Sequence, residues 1–140
     1  MLRPPALLEQ LLAAGRWPRT VEEQQWQNLR PLVPAERVRR LALEESMIFL
    51  FAPPFHTVRE RASSNPYWMD PLAAPSEIDF DLALDIGDFG LGSDAPILLD
   101  YREDPEMPRV IRLRWPPDGC ANHWVMMAPD FEMFVRELGL

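Results

Sequence analysis

The sequence predicts a single α+β domain with N-terminal helices, an antiparallel meander sheet of about four to five strands, and a C-terminal helix packed on the sheet. Apolar residues recur at helical spacing near both ends of the chain, and between them they form short runs or alternate with polar residues. The 16 prolines keep every element short. With 140 residues, a hydrophobic share of 47% and no Gly/Ser-rich linker, the chain is expected to fold around one core as one domain, 1–140.

The N-terminal part, residues 1–45, is predicted to be helical. A first apolar stripe ends at Gly15, a residue type that commonly terminates helices. Thr20 and Glu23 have the spacing of a capping box, which predicts the start of a second helix. A third helix is predicted to begin near Pro34, because proline suits the first turn of a helix.

Residues 46–128 are predicted to hold the sheet and its loops. The apolar run 47–51 ends at two prolines, which is typical of a short buried strand, whereas the proline-rich segment 53–77 is expected to be mostly loop, in which 55–62 allows a helical turn. Alternation of apolar and polar residues over 83–89 indicates a half-exposed strand. An apolar stripe then predicts the final helix, 129–140, which covers one face of the sheet.

Two hairpins are predicted after residue 95. We set their register by keeping the apolar side chains on one face, because a slip of one residue turns each side chain to the opposite face. The predicted pairs are Ile97 with Trp115, Leu99 with Leu113, Tyr101 with Ile111, Trp115 with Trp124, and Leu113 with Met126. This register places Asp100 opposite Arg112 as a cross-strand ion pair. Trp115 and Trp124 are expected in the core, and Trp68 is expected to be exposed.

The composition excludes several classes of enzyme. Lysine is absent and all 14 cationic residues are Arg, so there is no Schiff-base lysine, phosphate-loop lysine or kinase-type ATP lysine. Cys120 and His123 supply too few ligands for zinc, and the acidic residues lack the calcium-loop pattern. We therefore predict no metal, no cofactor and no catalytic residue. A small hydrolase that uses an aspartate or His56 is the remaining enzymatic alternative.

No stretch of the sequence approaches the roughly 20 apolar residues of a membrane span, and the N-terminus lacks the apolar block of a signal peptide. We therefore expect a cytoplasmic location without membrane contact, and a single cysteine agrees with a reducing compartment. The cluster of Arg37, Arg39 and Arg40 is too small for a nucleic-acid footprint in a chain of net charge −8, so no nucleic acid is expected as a partner.

Acidic residues are concentrated in the second half of the chain. Residues 63–140 carry fifteen acidic residues and five Arg, whereas residues 1–62 carry seven acidic residues and nine Arg. The densest stretch, 77–106, contains Arg102 as its one cationic residue. Such a field steers a basic partner, for example a nuclease toxin whose cleft holds phosphates. The alternative interpretation is a solvated acidic face that keeps the protein soluble.

Four segments together carry a family resemblance. They are ALDIGDFGLGSDAPILLDYR at 83–102, VIRLRW at 110–115, HWV at 123–125 and APDFEMFVREL at 128–138. A Gly-rich turn, an aspartate-ending strand, a valine-led strand, a tryptophan-bearing strand and a Phe-Glu-x-Phe helix follow one another in the order of SUKH domains, the family of the yeast Smi/Knr proteins and their bacterial relatives. The chain thus resembles the C-terminal half of that family, and its N-terminal part departs from the family pattern.

The resemblance implies a non-catalytic protein-binding fold. Many bacterial members of the family resemble immunity proteins that neutralise a cognate toxin, and fungal members are regulators of cell-wall synthesis and signalling. We therefore expect another protein as partner, and we predict its contacts at Asp85, Asp88, Asp94, Asp100, Tyr101, Arg102 and Trp68. The alternative is an intracellular regulatory scaffold that contacts its client through the divergent helices, at Arg37 to Arg40, and through Trp68.

Overall fold

The structure, a computed structural model, describes residues 2–90 and 94–140. Part of the Gly-rich turn, residues 91–93, therefore lies outside the described residues. The α-helices are α1 (Ala6–Ala13), α2 (Val21–Trp26), α3 (Ala35–Leu41), α4 (Val58–Ala62) and α5 (Phe131–Leu138). In the described part of the chain, no helix has the length and apolar character needed to cross a membrane.

The helix ends follow local capping signals. Thr20 begins α2 as predicted, because its side chain accepts a hydrogen bond from the amide of Glu23 at 3.1 Å. Asp130 caps α5 in the same way, through the amide of Met133 at 2.8 Å. Gly139 ends α5 with a φ of 75°, a conformation that glycine adopts without steric penalty.

The strands are β1 (Phe49–Leu50), β2 (His56–Thr57), β3 (Ala83–Asp88), β4 (Pro96–Asp100), β5 (Arg109–Arg114) and β6 (His123–Ala128). They form one open antiparallel sheet in the order β1-β3-β4-β5-β6, and β2 also pairs with β3. The four long strands make the predicted meander, and α5 packs beside it. The predicted α+β fold is therefore confirmed.

Both faces of the sheet are covered. Helices α1, α3 and α5 contribute to the main core on one face, where Ile97, Leu99 and Phe134 are fully buried. A smaller cluster covers the opposite face, and it consists of Val58, Trp68, Phe80, Ala83, Leu98 and Ile111. The strand predicted over 83–89 is present as β3, but β3 and β4 are almost completely buried, so the expectation that this strand is half-exposed is wrong.

The second face is covered by the segment that we expected to be mostly loop. Thr57 and Glu60 form a capping box that begins α4. Three short 3-10 turns follow, at Pro66–Met69, Pro71–Ala73 and Pro75–Glu77. They bring Trp68 onto Trp124, with ring planes 9° apart and centroids 6.5 Å apart. Trp68 is only 4% exposed, so the prediction of an exposed Trp68 is wrong.

The predicted register of both hairpins is also wrong. Ile97 lies opposite Arg112 and Asp100 lies opposite Arg109. In the second hairpin Leu113 lies opposite Trp124. For the first hairpin, the prediction assumed that one face of the sheet is apolar and the other is exposed, but covering both faces removes that distinction. The second hairpin is displaced by two residues, which keeps the same side chains on each face. Trp115 lies just beyond the end of β5 and is 42% exposed instead of buried in the core.

Candidate functional site

A cavity of about 430 Å³ lies beside β3, where β1 and β2 pair with the two halves of that strand. Its wall is completed by the Pro53–Pro54 segment and by residues of α4 and the first 3-10 turn. Acidic, aromatic and amide side chains share the lining. We call this space the β3 cavity.

A glycine creates the geometry of the β3 cavity. A β-bulge lies between Asp85 and Gly87, so the strand changes register at this point. A Cβ atom added to Gly87 would lie 2.5 Å from the carbonyl oxygen of Phe49, which is inside van der Waals contact. Glycine therefore allows β1 to approach β3 closely enough to pair with it.

Asp85 lies at the floor of the β3 cavity and faces Arg61 from α4. Its Oδ2 is 3.1 Å from Nε of Arg61, and its side chain is only 6% exposed. Burial raises the pKa of Asp85 to about 7, although the positive charge of Arg61 acts in the opposite direction. Oδ1 of Asp85 accepts no hydrogen bond, and the Nε–H group of Arg61 is not aligned to donate one, among the described residues.

Asp88 and Asp94 carry the other two carboxylates of the lining. Asp88 is half-buried, and its Oδ1 accepts a hydrogen bond from the amide of Gly90 at 2.8 Å. Burial, together with the negative charge of Asp94, raises the pKa of Asp88 to about 6. Asp94 is exposed, and its φ of 51° lies in the left-handed region that aspartate tolerates better than most residues.

Two aromatic side chains hold the backbone at Asp94. The carbonyl oxygen of Asp94 accepts hydrogen bonds from the hydroxyl of Tyr67 at 2.6 Å and from Nε1 of Trp115 at 3.0 Å. Burial raises the pKa of Tyr67 to about 12, so this hydroxyl stays protonated and remains a donor at neutral pH. These two bonds fix the position of Asp94 at the rim of the cavity.

The lining of the β3 cavity has an excess of negative charge. Its described side chains include three carboxylates and one guanidinium, that of Arg61, which is already paired with Asp85. His56 also lines the cavity, and its Nδ1 lies 3.3 Å from a carboxylate oxygen of Glu60. Such a cavity attracts a cationic group and repels phosphate and carboxylate groups.

The other predicted contact residues lie outside this cavity or are not accessible. Asp100 is 1% exposed and accepts hydrogen bonds from Arg102 at 2.9 Å and from Arg109 at 2.8 Å. Its burial would raise its pKa, but the hydrogen bonds from the two guanidinium groups outweigh that effect and lower it. Tyr101 is 2% exposed and donates its hydroxyl to the carbonyl of Arg3. Asp100, Tyr101 and Arg102 thus stabilise the C-terminal end of β4, an interior strand, and a partner has no access to Asp100 or Tyr101.

Sequence reasoning missed Arg61 and Asn65 as cavity residues. Both follow from the placement of α4, which begins directly after β2 and carries Arg61 over the ring of Phe51 at 5.6 Å. The signal that predicts this helix is the spacing of Thr57 and Glu60, the same capping pattern that correctly placed α2.

His56 and the pair Cys120 and His123 do not form a metal site in this structure. Among the described residues, no three His, Cys, Asp or Glu side chains are grouped to hold a metal ion. His123 contacts Glu77 at 2.7 Å, and Cys120 is exposed in the β5–β6 loop.

Comparison of the chain with known proteins adds no relative. No family model, no curated protein and no solved structure matches it.

Proposed function

We propose that this chain is a non-enzymatic protein-binding domain of the immunity type, which binds a basic toxin domain and neutralises it. The observation that carries the proposal is the position of Asp85, Asp88 and Asp94. Asp88 and Asp94 are at least partly exposed at one cavity, Asp85 lies buried at its floor, and the described lining has a single guanidinium, already paired. The resemblance of residues 83–138 to SUKH domains supports the same function.

The distribution of charge supports a basic partner. Residues 63–140, which supply the three carboxylates of the cavity, carry fifteen acidic residues and five Arg. A nuclease toxin needs a basic cleft to hold phosphates, and association of such opposite fields is fast and sensitive to salt. We place this binding in the cytoplasm, because Cys120 is exposed and unpaired, as expected for a reducing compartment.

Affinity capture with matched variants tests the proposal. The wild-type protein, the double variant D88N/D94N and the control D104N/D118N are used as baits at low and at high salt. Both double variants remove two carboxylates, and in both asparagine keeps a side-chain oxygen. In the wild-type protein, Oδ1 of Asp88, Asp104 and Asp118 accepts a hydrogen bond from a backbone amide, and the asparagine oxygen retains this acceptor. Neither control residue lines the β3 cavity.

The expected result is one identified basic protein that is retained at low salt by wild type and control. D88N/D94N should bind it about tenfold or more weakly, because charge-assisted contacts contribute about 1.5–3 kcal/mol each. Co-expression with the wild-type protein should abolish the toxicity of that partner. Equal affinity of the two double variants, or unchanged toxicity, would contradict the proposal. The purified protein is expected to turn over neither nuclease nor esterase substrates.

The second candidate is a regulatory scaffold, and exposed apolar side chains near α2 favour it. Val21, Trp26 and Leu29 are 68%, 59% and 92% exposed. Trp68 has no part in this version, since it is buried. A scaffold of this kind should retain a client through a high-salt wash, and the variant W26S/L29S should lose that client while D88N/D94N keeps it.

A further inference from the structure

We propose that the β3 cavity is the receptor site for an arginine side chain of the partner, whose guanidinium is held by Asp88 and Asp94 above the Asp85–Arg61 pair. This inference rests on the proposed function and names the chemical group that the cavity recognises.

The charge of the lining selects a cation. Asp88 and Asp94 have no cationic partner among the described residues, since each ion pair found there involves other carboxylates. Asp88 is also half-buried, so water stabilises its charge only in part. A partner cation that enters the cavity would supply the missing counter-charge in a place of reduced solvent screening, where charge-assisted hydrogen bonds are strong.

The floor carries an ion pair whose hydrogen bonding is incomplete. Oδ1 of Asp85 belongs to a side chain that is more than nine-tenths buried, lines the cavity, and accepts no hydrogen bond among the described residues. Native proteins leave few buried polar atoms without a partner, because each one loses its interaction with water. A cation bound above the pair compensates the charge of the Asp85 carboxylate, and an apolar or anionic ligand does not.

The walls favour a guanidinium over an ammonium group. The half-buried rings of Phe51 and Tyr67 contribute aromatic surface to the lining, and the buried Trp68 borders it. A guanidinium is planar, presents five N–H donors in a fork that fits carboxylates, and stacks on aromatic rings, whereas an ammonium is a compact and strongly hydrated charge. The cavity already holds one such arrangement, because the guanidinium of Arg61 lies over the Phe51 ring.

The acidic rim is held in place before binding. The amide of Gly90 fixes the Asp88 carboxylate, and the bonds from Tyr67 and Trp115 fix the backbone of Asp94. Less conformational entropy is therefore lost when a ligand binds, which is the usual advantage of a preformed site. The volume of about 430 Å³ lies within the range of small-ligand pockets, so one long side chain fits inside.

The test uses a small probe and does not need the partner. Nα-acetyl-argininamide is titrated into the ¹⁵N-labelled full chain and followed by NMR, with the neutral citrulline analogue and the lysine analogue as matched probes. We expect saturable shifts of the Trp68 and Trp115 indole signals with a Kd of about 1–10 mM. Binding of the lysine probe should be several-fold weaker, and the citrulline probe should produce no saturable shift.

Variants locate the binding. D88N should weaken binding of the arginine probe about tenfold, since it removes one charge-assisted contact, and D104N should leave the affinity unchanged. D94N provides a second variant at the cavity, and the dispersion of each spectrum reports that the fold is intact. The inference would be overturned if the citrulline probe produced shifts of equal size, or if the arginine probe produced no saturable shift. It would also be overturned if D88N and D94N bound the arginine probe as tightly as D104N does.

The outcomes separate this inference from the proposed function. If the partner is captured in a salt-sensitive manner that depends on Asp88 and Asp94 but the arginine probe does not bind, the arginine site is wrong and the protein-binding function stands. If the probe binds but no captured protein loses toxicity on co-expression, the immunity function is wrong and the arginine site stands.

Discussion

Asp85 and Arg61 form an ion pair at the floor of the β3 cavity, with Oδ2 of Asp85 3.1 Å from Nε of Arg61. One carboxylate oxygen and the Nε–H group of this pair have no hydrogen-bond partner among the described residues. Burial therefore outweighs the attraction of the guanidinium and raises the pKa of Asp85 to about 7. The charge at the floor of the cavity consequently changes near neutral pH.

The first prediction concerns stability and pH. Because the pKa of Asp85 is raised above its ordinary value of 3.8, the folded protein binds more protons than the unfolded chain between about pH 4 and 7. The contribution of protonated Asp85 to the unfolding free energy is therefore fully present below the ordinary pKa, and it is lost as the pH rises through the pKa of the folded state. Asp88, whose pKa is also raised, acts with the same sign.

D85N should therefore flatten the fall of the unfolding free energy across this window. One group contributes a slope of at most about 1.4 kcal/mol per pH unit. Urea unfolding at several pH values between about 4.5 and 7.5 measures the slope, with D104N as a control that should keep the wild-type slope. A D85N slope equal to that of wild type would show that Asp85 titrates normally in the folded protein.

The second prediction concerns the buried carboxylate of Asp100. Removing it in D100A leaves Arg102 and Arg109 without the acceptor that both guanidinium groups share. Breaking a buried charge pair from one side is strongly destabilising, and we expect a loss of about 3 kcal/mol in unfolding free energy. E103A is the control, since Glu103 pairs with the same Arg109 but its side chain is 72% exposed.

Chemical denaturation of both variants gives the comparison. E103A should change the midpoint little, because exposed ion pairs contribute little to stability. Similar denaturation midpoints for D100A and E103A would mean that burial of the Asp100 network adds nothing to the stability of the protein.

The parts of the fold that could be predicted depend on local signals. The start of α2 is set by the Thr20 side chain and the end of α5 by the left-handed backbone of Gly139, both within one turn of the helix end, so the sequence contains the whole interaction. The strands were also recognisable as short apolar segments. Their register was not, because the choice between faces requires knowing that α4 and the 3-10 turns cover the second face.

In the candidate site, too, local signals could be predicted and tertiary contacts could not. Asp88 and Asp94 were predicted as contact residues from their place in an acidic stretch, and both line the cavity. Arg61 was missed because its role comes from a tertiary contact with Asp85, which lies 24 positions away in the chain. Trp68 was misplaced because an aromatic residue in a proline-rich segment carries no sign of the Trp124 ring on which it stacks.

The third prediction concerns the bulge in β3. G87A places a Cβ atom 2.5 Å from the carbonyl oxygen of Phe49, so β1 must move away from β3 and open the wall of the cavity. We expect a loss of about 2 kcal/mol, typical of overpacking, together with weaker partner binding. G119A is the matched control.

Gly119 has a φ of 77° and nothing within 4 Å of an added Cβ, so G119A carries only the conformational penalty of about 1 kcal/mol. It should leave partner binding unchanged. Thermal unfolding and binding assays on both variants separate the two effects, and equal binding by G87A and wild type would mean that the β1 wall is not part of the site.

The fourth prediction distinguishes the two free carboxylates by the kinetics of partner binding. Asp94 is exposed at the rim, where a charge acts mainly on the diffusional encounter, so D94N should lower the association rate and its dependence on salt. Asp88 is half-buried, where a charge acts on the bound complex, so D88N should mainly raise the dissociation rate. Both asparagines preserve the backbone geometry, since Asn tolerates the left-handed conformation of Asp94 and retains the acceptor for the amide of Gly90.

Stopped-flow mixing and surface binding with the identified toxin domain, at ionic strengths on either side of physiological, measure both rates. The expected pattern is a several-fold lower association rate in D94N and a roughly tenfold higher dissociation rate in D88N. If both variants change the association rate alone, Asp88 contributes only to the long-range field and the partner's cation does not enter the cavity. If neither variant changes either rate, the partner docks on another face of the domain.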